Sequence, residues 1–230
     1  MQPYKHYSFD LWLTLIRSNP AFKLERSKIF YENYNFCNKS FEDVATIFRQ
    51  VDLMCNSMNE KTGKNIDADE MYLMVFCMIN NFDPSFKAID IKALELEMEG
   101  LIFNYLPVIY CGETKGLLAS LKESGNSTLS LLSNTGFIRG AILRKVLAAL
   151  ELDQYFDFQL YSDEERLSKP NLEFFQLMLN KIDRKKHTEL KLHEIVHIGD
   201  NPVADISGAA GLGIHSVLIN SNDQTITCLR

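Results

Sequence analysis

Three polar residues stand at the ends of apolar runs. Asp10 follows Tyr7-Ser8-Phe9, Ser133 follows Leu129-Ser130-Leu131-Leu132, and Asp200 follows Val196-His197-Ile198-Gly199. Each run has the length and composition of a buried strand, and in open α/β sheets ligands sit beyond the carboxyl ends of the strands. A single polar residue ending a strand carries little information. Three of them converge if their strands share a sheet. Asp205 lies five residues after Asp200, and Lys169 precedes Pro170. Asp10, Asp200 and Asp205 in one place would repel, and one would protonate unless cations offset them. Lys169 supplies one positive charge and a bound Mg²⁺ would supply two. Mg²⁺ takes oxygen ligands and keeps waters, so Asp10, Asp200 and a backbone carbonyl would suffice. A phosphate dianion would then meet Mg²⁺, Lys169, the Ser133 hydroxyl and the N–H groups of the turns.

The elements that must position these residues alternate in texture. Residues 4–9 read as a strand. From about Pro20 to Tyr105 only helical periodicity is found. Val44, Phe48, Val51 and Cys55 share one helical face, and Ser40 with Asp43 marks the start of that helix. Met71, Met74, Val75 and Met78 form a second face, where methionine serves as core filler. Asp83-Pro84-Ser85 predicts a turn before a third helix through Leu94, Met98 and Leu101. After Pro107, helices and strands alternate. A helix over 114–124 closed by Gly125 precedes a strand over 128–132. A helix over 138–150, a strand over 158–161 and a helix over 172–182 follow. The last segments are a strand over 195–198, a helix over 204–210 and a strand over 215–219. This predicts an α/β fold: a doubly wound parallel sheet core with an inserted all-helical cap domain. The boundaries expected are 1–16 for the first core segment, 17–107 for the cap and 108–230 for the rest of the core. A structureless loop of that length would not fit a compact domain.

The chain has 230 residues, 46% of them hydrophobic, and a net charge of −6. The charge argues against nucleic acid and anionic membranes as partners, because both need a basic patch. No run reaches the ~20 apolar residues of a membrane span. Five cysteines without a C-x-x-C pair read as isolated thiols of a reducing compartment, so a cytoplasmic protein is expected. The five histidines lack ligand spacing, and His197, inside a strand, reads as a core histidine. Gly208-Ala-Ala-Gly211-Leu-Gly213 superficially suggests dinucleotide binding, but it falls at a helix end, where tight packing explains it better. The stretch from Asp183 to His187 reads as an exposed loop.

On four motifs the sequence resembles the haloacid dehalogenase-like superfamily, in the branch with a helical cap after the first motif. They are Phe9-Asp10-Leu11-Trp12-Leu13-Thr14, Leu132-Ser133-Asn134-Thr135-Gly136, Ser168-Lys169-Pro170-Asn171, and Gly199-Asp200 with Asp205. The resemblance implies that Asp10 is a nucleophile forming an aspartyl phosphate and that Thr14 orients it. It implies that Ser133 and Lys169 hold phosphoryl oxygens. Asp10, Asp200 and the Trp12 carbonyl would ligate Mg²⁺ with Asp205 in support, and Asn134 would touch a small phosphorylated substrate. Arg17, just after the first motif, is a further candidate for a substrate anion.

One position departs from the family pattern. Trp12 occupies the place of the second acidic residue, the general acid. Losing such a group costs on the order of 10²–10⁴ in rate. Three readings follow: a Mg²⁺-dependent phosphohydrolase restricted to good leaving groups, a 2-haloacid dehalogenase-like hydrolase, or a catalytically weak binding protein. The acids at 200 and 205 favour the first, since a dehalogenase needs no metal. Substrate identity and oligomeric state are not legible.

Overall fold

The computed structural model describes residues 4–83, 89–123, 127–182, 186–187 and 189–229. In chain order its strands are β1 (His6–Phe9), β2 (Ile16–Arg17), β3 (Val108–Ile109), β4 (Thr128–Ser133), β5 (Phe158–Tyr161), β6 (Ile195–Gly199) and β7 (His215–Leu218). Five of them form one parallel sheet in the order β5-β4-β1-β6-β7. Its helices are α1 (Pro20–Asn33), α2 (Phe41–Thr62), α3 (Ala68–Ile79), α4 (Ile91–Asn104), α5 (Thr114–Glu123), α6 (Gly140–Ala149), α7 (Ser162–Glu165), α8 (Leu172–Lys181) and α9 (Gly208–Gly211).

Alternation along the strands divides their side chains between two apolar layers. Phe9, Leu129, Leu131, Val196 and Ile198 join a cluster with Leu118 of α5 and Leu143 of α6. Leu132, Leu160 and Ile195 join another with Phe174 and Phe175 of α8 and Ala209 of α9. A sheet covered on both faces needs apolar residues in both registers, which is why the central strands read as nearly continuous apolar runs. Polar side chains on these strands are paired. The His6 ring is 2.8 Å from Thr128 Oγ1 and 3.0 Å from Ser130 Oγ. Burial pushes His6 down to about 3, so it is held as a neutral ring between neutral hydroxyls.

The helices α1–α4 lie between β2 and β3, which pair antiparallel as Ile16↔Ile109 and Arg17↔Val108. Two-residue strands carry no period, and the sequence did not reveal this ribbon. The start of α2 is the expected one: Asp43 N–H donates to Ser40 Oγ at 3.1 Å and Ser40 N–H to Asp43 Oδ2 at 3.3 Å. Val44, Phe48, Val51 and Cys55 are all buried, and Met71, Met74 and Met78 pack into the same core. The helices also touch the sheet domain. Gly63 O accepts from Ser168 N–H at 3.1 Å and Asn171 Nδ2 at 3.2 Å, and Ser162 Oγ donates to Asn65 Oδ1 at 2.7 Å.

The segment after β6 differs from the expected single helix over 204–210. It is a π-helical turn over Pro202–Ser207, followed by the four-residue α9. Asn201 causes the widening. Its side chain accepts from Val203 and Ala204 N–H, while its carbonyl accepts from Asp205 and Ile206 N–H. At Gly208 an added Cβ would lie 2.4 Å from the Phe175 ring, so close helix packing accounts for that glycine. All five cysteines are free thiols. Pro84-Ser85, Gly125 and residues 183–185 lie outside the described residues, whereas His187, expected in an exposed loop, is buried with Nε2 3.1 Å from Thr128 Oγ1. Among the described residues no helix is long and apolar enough to cross a membrane.

Candidate active site

The expected residues meet at the carboxyl edge of the sheet. Asp10 leaves β1, Asp200 leaves β6, and Lys169 precedes a cis bond to Pro170. Lys169 is fully buried, and its Nζ donates to Asp10 Oδ1 at 2.8 Å and Asp205 Oδ1 at 2.6 Å. Asp205 also takes His197 Nε2 at 3.0 Å and Asn201 N–H at 2.9 Å. The wide turn after β6 swings Asp205 back onto the strand. A Cβ on Gly199 would lie 2.1 Å from the Asp205 carboxylate, so only glycine permits the approach.

These donors divide the carboxylates by protonation. Burial works to raise Asp205, but Lys169 and His197 outweigh it and hold it well below the usual carboxylate range. Asp10 has a smaller share of donors. Burial pushes it up to about 6 against the pull of Lys169, with Asp205 adding repulsion. Burial pushes Asp200 up to about 7, aided by the charges of Asp10 and Asp205. The Lys169 ammonium is raised, because its two carboxylates outweigh the cost of burying it. One oxygen from each of Asp10, Asp200 and Asp205 lies within 4.8 Å of the others. Three hard oxygen donors facing one buried lysine are short of positive charge, and a divalent cation with oxygen preference fits them.

The remaining predicted residues divide. Asn134 fixes the lysine: its Oδ1 accepts from Lys169 N–H at 2.8 Å and its Nδ2 donates to Lys169 O at 3.1 Å. Asn134 also lines, with Asp10, Lys169 and Trp12, a cavity of about 710 Å³ between the sheet edge and the inserted helices. Ser133, expected to hold a phosphoryl oxygen, is buried, donates to Asn134 O at 3.0 Å and is not among the residues lining this cavity. Thr14 is buried and its hydroxyl has no hydrogen-bond partner. Arg17 is not brought to the cavity. It is exposed on β2, with its guanidinium 5.8 Å from the centre of the Tyr110 ring. The two-residue ribbon turns it away, which the linear distance from Asp10 could not reveal.

Two residues, Glu60 and Arg26, and one contact of His197 escaped the sequence reading. His197 is the core histidine expected, but it also joins Ser8 Oγ at 2.9 Å to Asp205, so it fixes an acid of the site. Its register on β6 was the available signal. Glu60 of α2 lines the cavity and accepts from Asn201 Nδ2 at 2.8 Å. Arg26 of α1 is a buried cation in the same cavity. The helix that carries it shows little amphipathic patterning, and no sequence signal set it apart.

A family model described as haloacid dehalogenase-like hydrolase matches residues 5–213. The Rhythmically expressed gene 2 protein of Drosophila melanogaster is 40% identical over 78 residues, 34% of this chain and 29% of that protein. The ribulose-1,5-bisphosphate 5-phosphatase of Halopiger xanaduensis is 30% identical over 113 residues, 49% of this chain and 43% of that one. Each match thus spans less than half the length of the curated relative. Among solved structures, the magnesium-bound HAD-hydrolase YfnB of Bacillus subtilis shares the fold with a TM-score of 0.72 at 18% identity, over 98% of this chain and 92% of that one. With the family match running through every segment that builds the carboxylate–lysine cluster, this chain belongs to the haloacid dehalogenase-like hydrolases.

Proposed function

We propose that the protein is a phosphohydrolase acting on a small phosphorylated metabolite through an aspartyl phosphate on Asp10. The observation that carries this reading is Lys169 Nζ bridging Asp10 and Asp205, with the Asp200 carboxylate beside them. Asp10, Asp200 and the Trp12 carbonyl would hold Mg²⁺ with Asp205 behind them. The bound ion would supply positive charge to the phosphoryl oxygens and keep Asp10 ionised. Asp10 attacks phosphorus through a carboxylate oxygen while the bond to the leaving oxygen breaks. Lys169 and Ser133 hold the phosphoryl oxygens through this change, with Asn134 fixing Lys169 at its backbone and Thr14 in the role of orienting Asp10. Water then attacks the aspartyl phosphate, releasing phosphate and restoring the carboxylate. Trp12 has no proton to give, so the leaving oxygen departs as an anion or takes its proton from water.

Residues 17–107 serve in this reading as the cap that closes over the substrate. Five free thiols accord with a reducing, cytoplasmic setting. The net charge of −6 argues against a nucleic-acid or anionic-membrane partner. The relation to a ribulose-1,5-bisphosphate 5-phosphatase supports phosphate ester chemistry over halide displacement, and so does the Asp200–Asp205 pair.

Phosphate release from a panel of phosphorylated metabolites, measured with and without Mg²⁺, tests the reading. Release should require the metal and vanish in Asp10→Asn while the fold persists by circular dichroism. Metal-independent halide release from 2-haloacids would replace the phosphatase with a dehalogenase. Silence on both panels would leave a binding protein.

A further inference from the structure

Arg26 projects from α1 into the cavity that holds Asp10 and Lys169, yet it is only 8% exposed. Its guanidinium carbon lies 4.1 Å from the centre of the Phe48 ring, 4.6 Å from Phe137 and 5.6 Å from Phe22. Phe22 and Phe48 belong to α1 and α2. Phe137 belongs to the loop after β4, three residues beyond Asn134. The box therefore joins the helical insert to the loop that fixes Lys169.

The charge in this box lacks a counter-ion. Arg26 Nε is buried without a hydrogen-bond partner, and no ion pair to Arg26 exists among the described residues. The nearest candidates are otherwise placed. Asp52, on the same cavity wall, is held by Arg49 at 3.0 Å. The Tyr72 hydroxyl and the Asp52 carboxylate both favour the charged form, but burial outweighs them and the Nε donor stays unmet. A guanidinium does not escape burial by losing its proton, and aromatic faces return only part of what it loses in leaving water. A buried Nε donor without a partner, on the wall of the cavity that holds Asp10, suits an oxyanion.

We infer that Arg26 anchors a second oxyanion, a carboxylate or a further phosphate, on a substrate whose reacting phosphoryl group meets Asp10. The inference rests on the phosphohydrolase reading and narrows it to substrates with at least two anionic groups. Planar donors suit a bidentate grip on either oxyanion, and the phenylalanine faces exclude water around the pair. Lys23 and Arg49 also line the cavity, but neither is enclosed by aromatic rings as Arg26 is, so this contact would weigh most in selection among phosphorylated molecules of similar size. Arg26 acts on binding and takes no part in the bond changes.

Phosphonates test this without turnover, because their P–C bond is not hydrolysed by the proposed reaction. Calorimetry in Mg²⁺ would compare a plain alkylphosphonate with a carboxyalkylphosphonate and an alkyl bisphosphonate of matched chain length. In the wild type, the better of the two doubly anionic ligands should bind at least tenfold tighter than the plain one, and which one gains identifies the second oxyanion. In Arg26→Gln the gain should fall below twofold while the plain phosphonate keeps its affinity. Arg26→Lys, which retains charge without the fork, should keep part of the gain, and it serves also if Arg26→Gln does not fold. Equal binding of all three ligands to the wild type, or a gain that survives in Arg26→Gln, would overturn the inference and leave phosphate recognition intact. Failure of every phosphonate to bind would instead overturn the phosphohydrolase reading, and this inference with it.

Discussion

Lys169 and Arg26 are both buried cations lining one cavity, and their surroundings are opposites. On the sheet side, the Lys169 ammonium is hydrogen-bonded to two carboxylates, and those are tied in turn to His197 and Asn201. On the helical side, the Arg26 guanidinium meets aromatic faces, and no salt bridge reaches it among the described residues. The Lys169–Asp205 part of the first wall is tied on every side and holds a fixed geometry, as a reacting centre requires. The second is incomplete until something anionic enters. Chemistry common to many substrates sits on the rigid wall, and the means of choosing among them sits on the other.

The sharpest way to break this contrast is to remove each charge in turn. Lys169→Met leaves Asp10 and Asp205 buried without their cation, and the loss of one partner from a buried pair costs about 3–5 kcal/mol. Arg26→Met removes a charge with no partner. It gives up cation–π contacts worth about 0.5–2 kcal/mol each and recovers a desolvation cost of similar size, so stability should move by no more than about 1 kcal/mol. Urea denaturation of the two variants measures both. Comparable losses would mean that Arg26 is as fully satisfied in the folded chain as Lys169.

A second effect should appear in rates. Trp12 is half-buried on the cavity wall where the family pattern has an acid. Without that acid the barrier should climb with leaving-group pKa, and each tenfold loss in rate corresponds to about 1.4 kcal/mol. Aryl or acyl phosphates should react some 10²–10⁴-fold faster than alkyl phosphates of similar size, the range a general acid ordinarily supplies. Measuring kcat across such a series, with chemistry shown to be rate-limiting, gives the slope. A flat slope would mean another group delivers the proton. Glu60, which reaches this cavity from α2, would be the first to replace with Gln.

The sheet side was far more legible in the sequence than the helical side, for a physical reason. Asp10, Ser133 and Asp200 each end a strand, and a parallel sheet must bring such ends to one edge. The apolar runs therefore announced both the fold and the cluster. Helical periodicity located α2, α3 and α4 and their buried faces, but it could not tell Arg26 from any solvated arginine. A helix places a residue by angle, and burial of that angle depends on which helices pack against it. Phe48 and Phe137 are 22 and 111 positions away in sequence, so their meeting around Arg26 is a tertiary fact. The β2–β3 ribbon was hidden for a related reason, since two residues on each side show no alternation. The π-helical turn that aims Asp205 depends on bonds from the Asn201 carbonyl and side chain, which a capping residue alone does not announce.

The smallest expected effect is at Arg17, the cation chosen from sequence. It lies nine residues before Arg26, but at the exposed ribbon, where its nearest aromatic partner is Tyr110 at 5.8 Å. Water solvates this guanidinium, so it neither strains for an anion nor gains much from the ring. Arg17→Ala should alter stability by less than about 0.5 kcal/mol, the ordinary range for a surface substitution. It should also leave kcat/KM within twofold on singly and doubly anionic substrates alike. Urea denaturation gives the first quantity and steady-state kinetics the second. Proximity to the nucleophile in sequence would favour Arg17, while burial and unmet donors favour Arg26. A tenfold loss in Arg17→Ala, confined to doubly anionic substrates, would reverse that order. It would mean that the ribbon folds inward when a ligand binds and that the second oxyanion is held at the hinge of the insert rather than within its first helix.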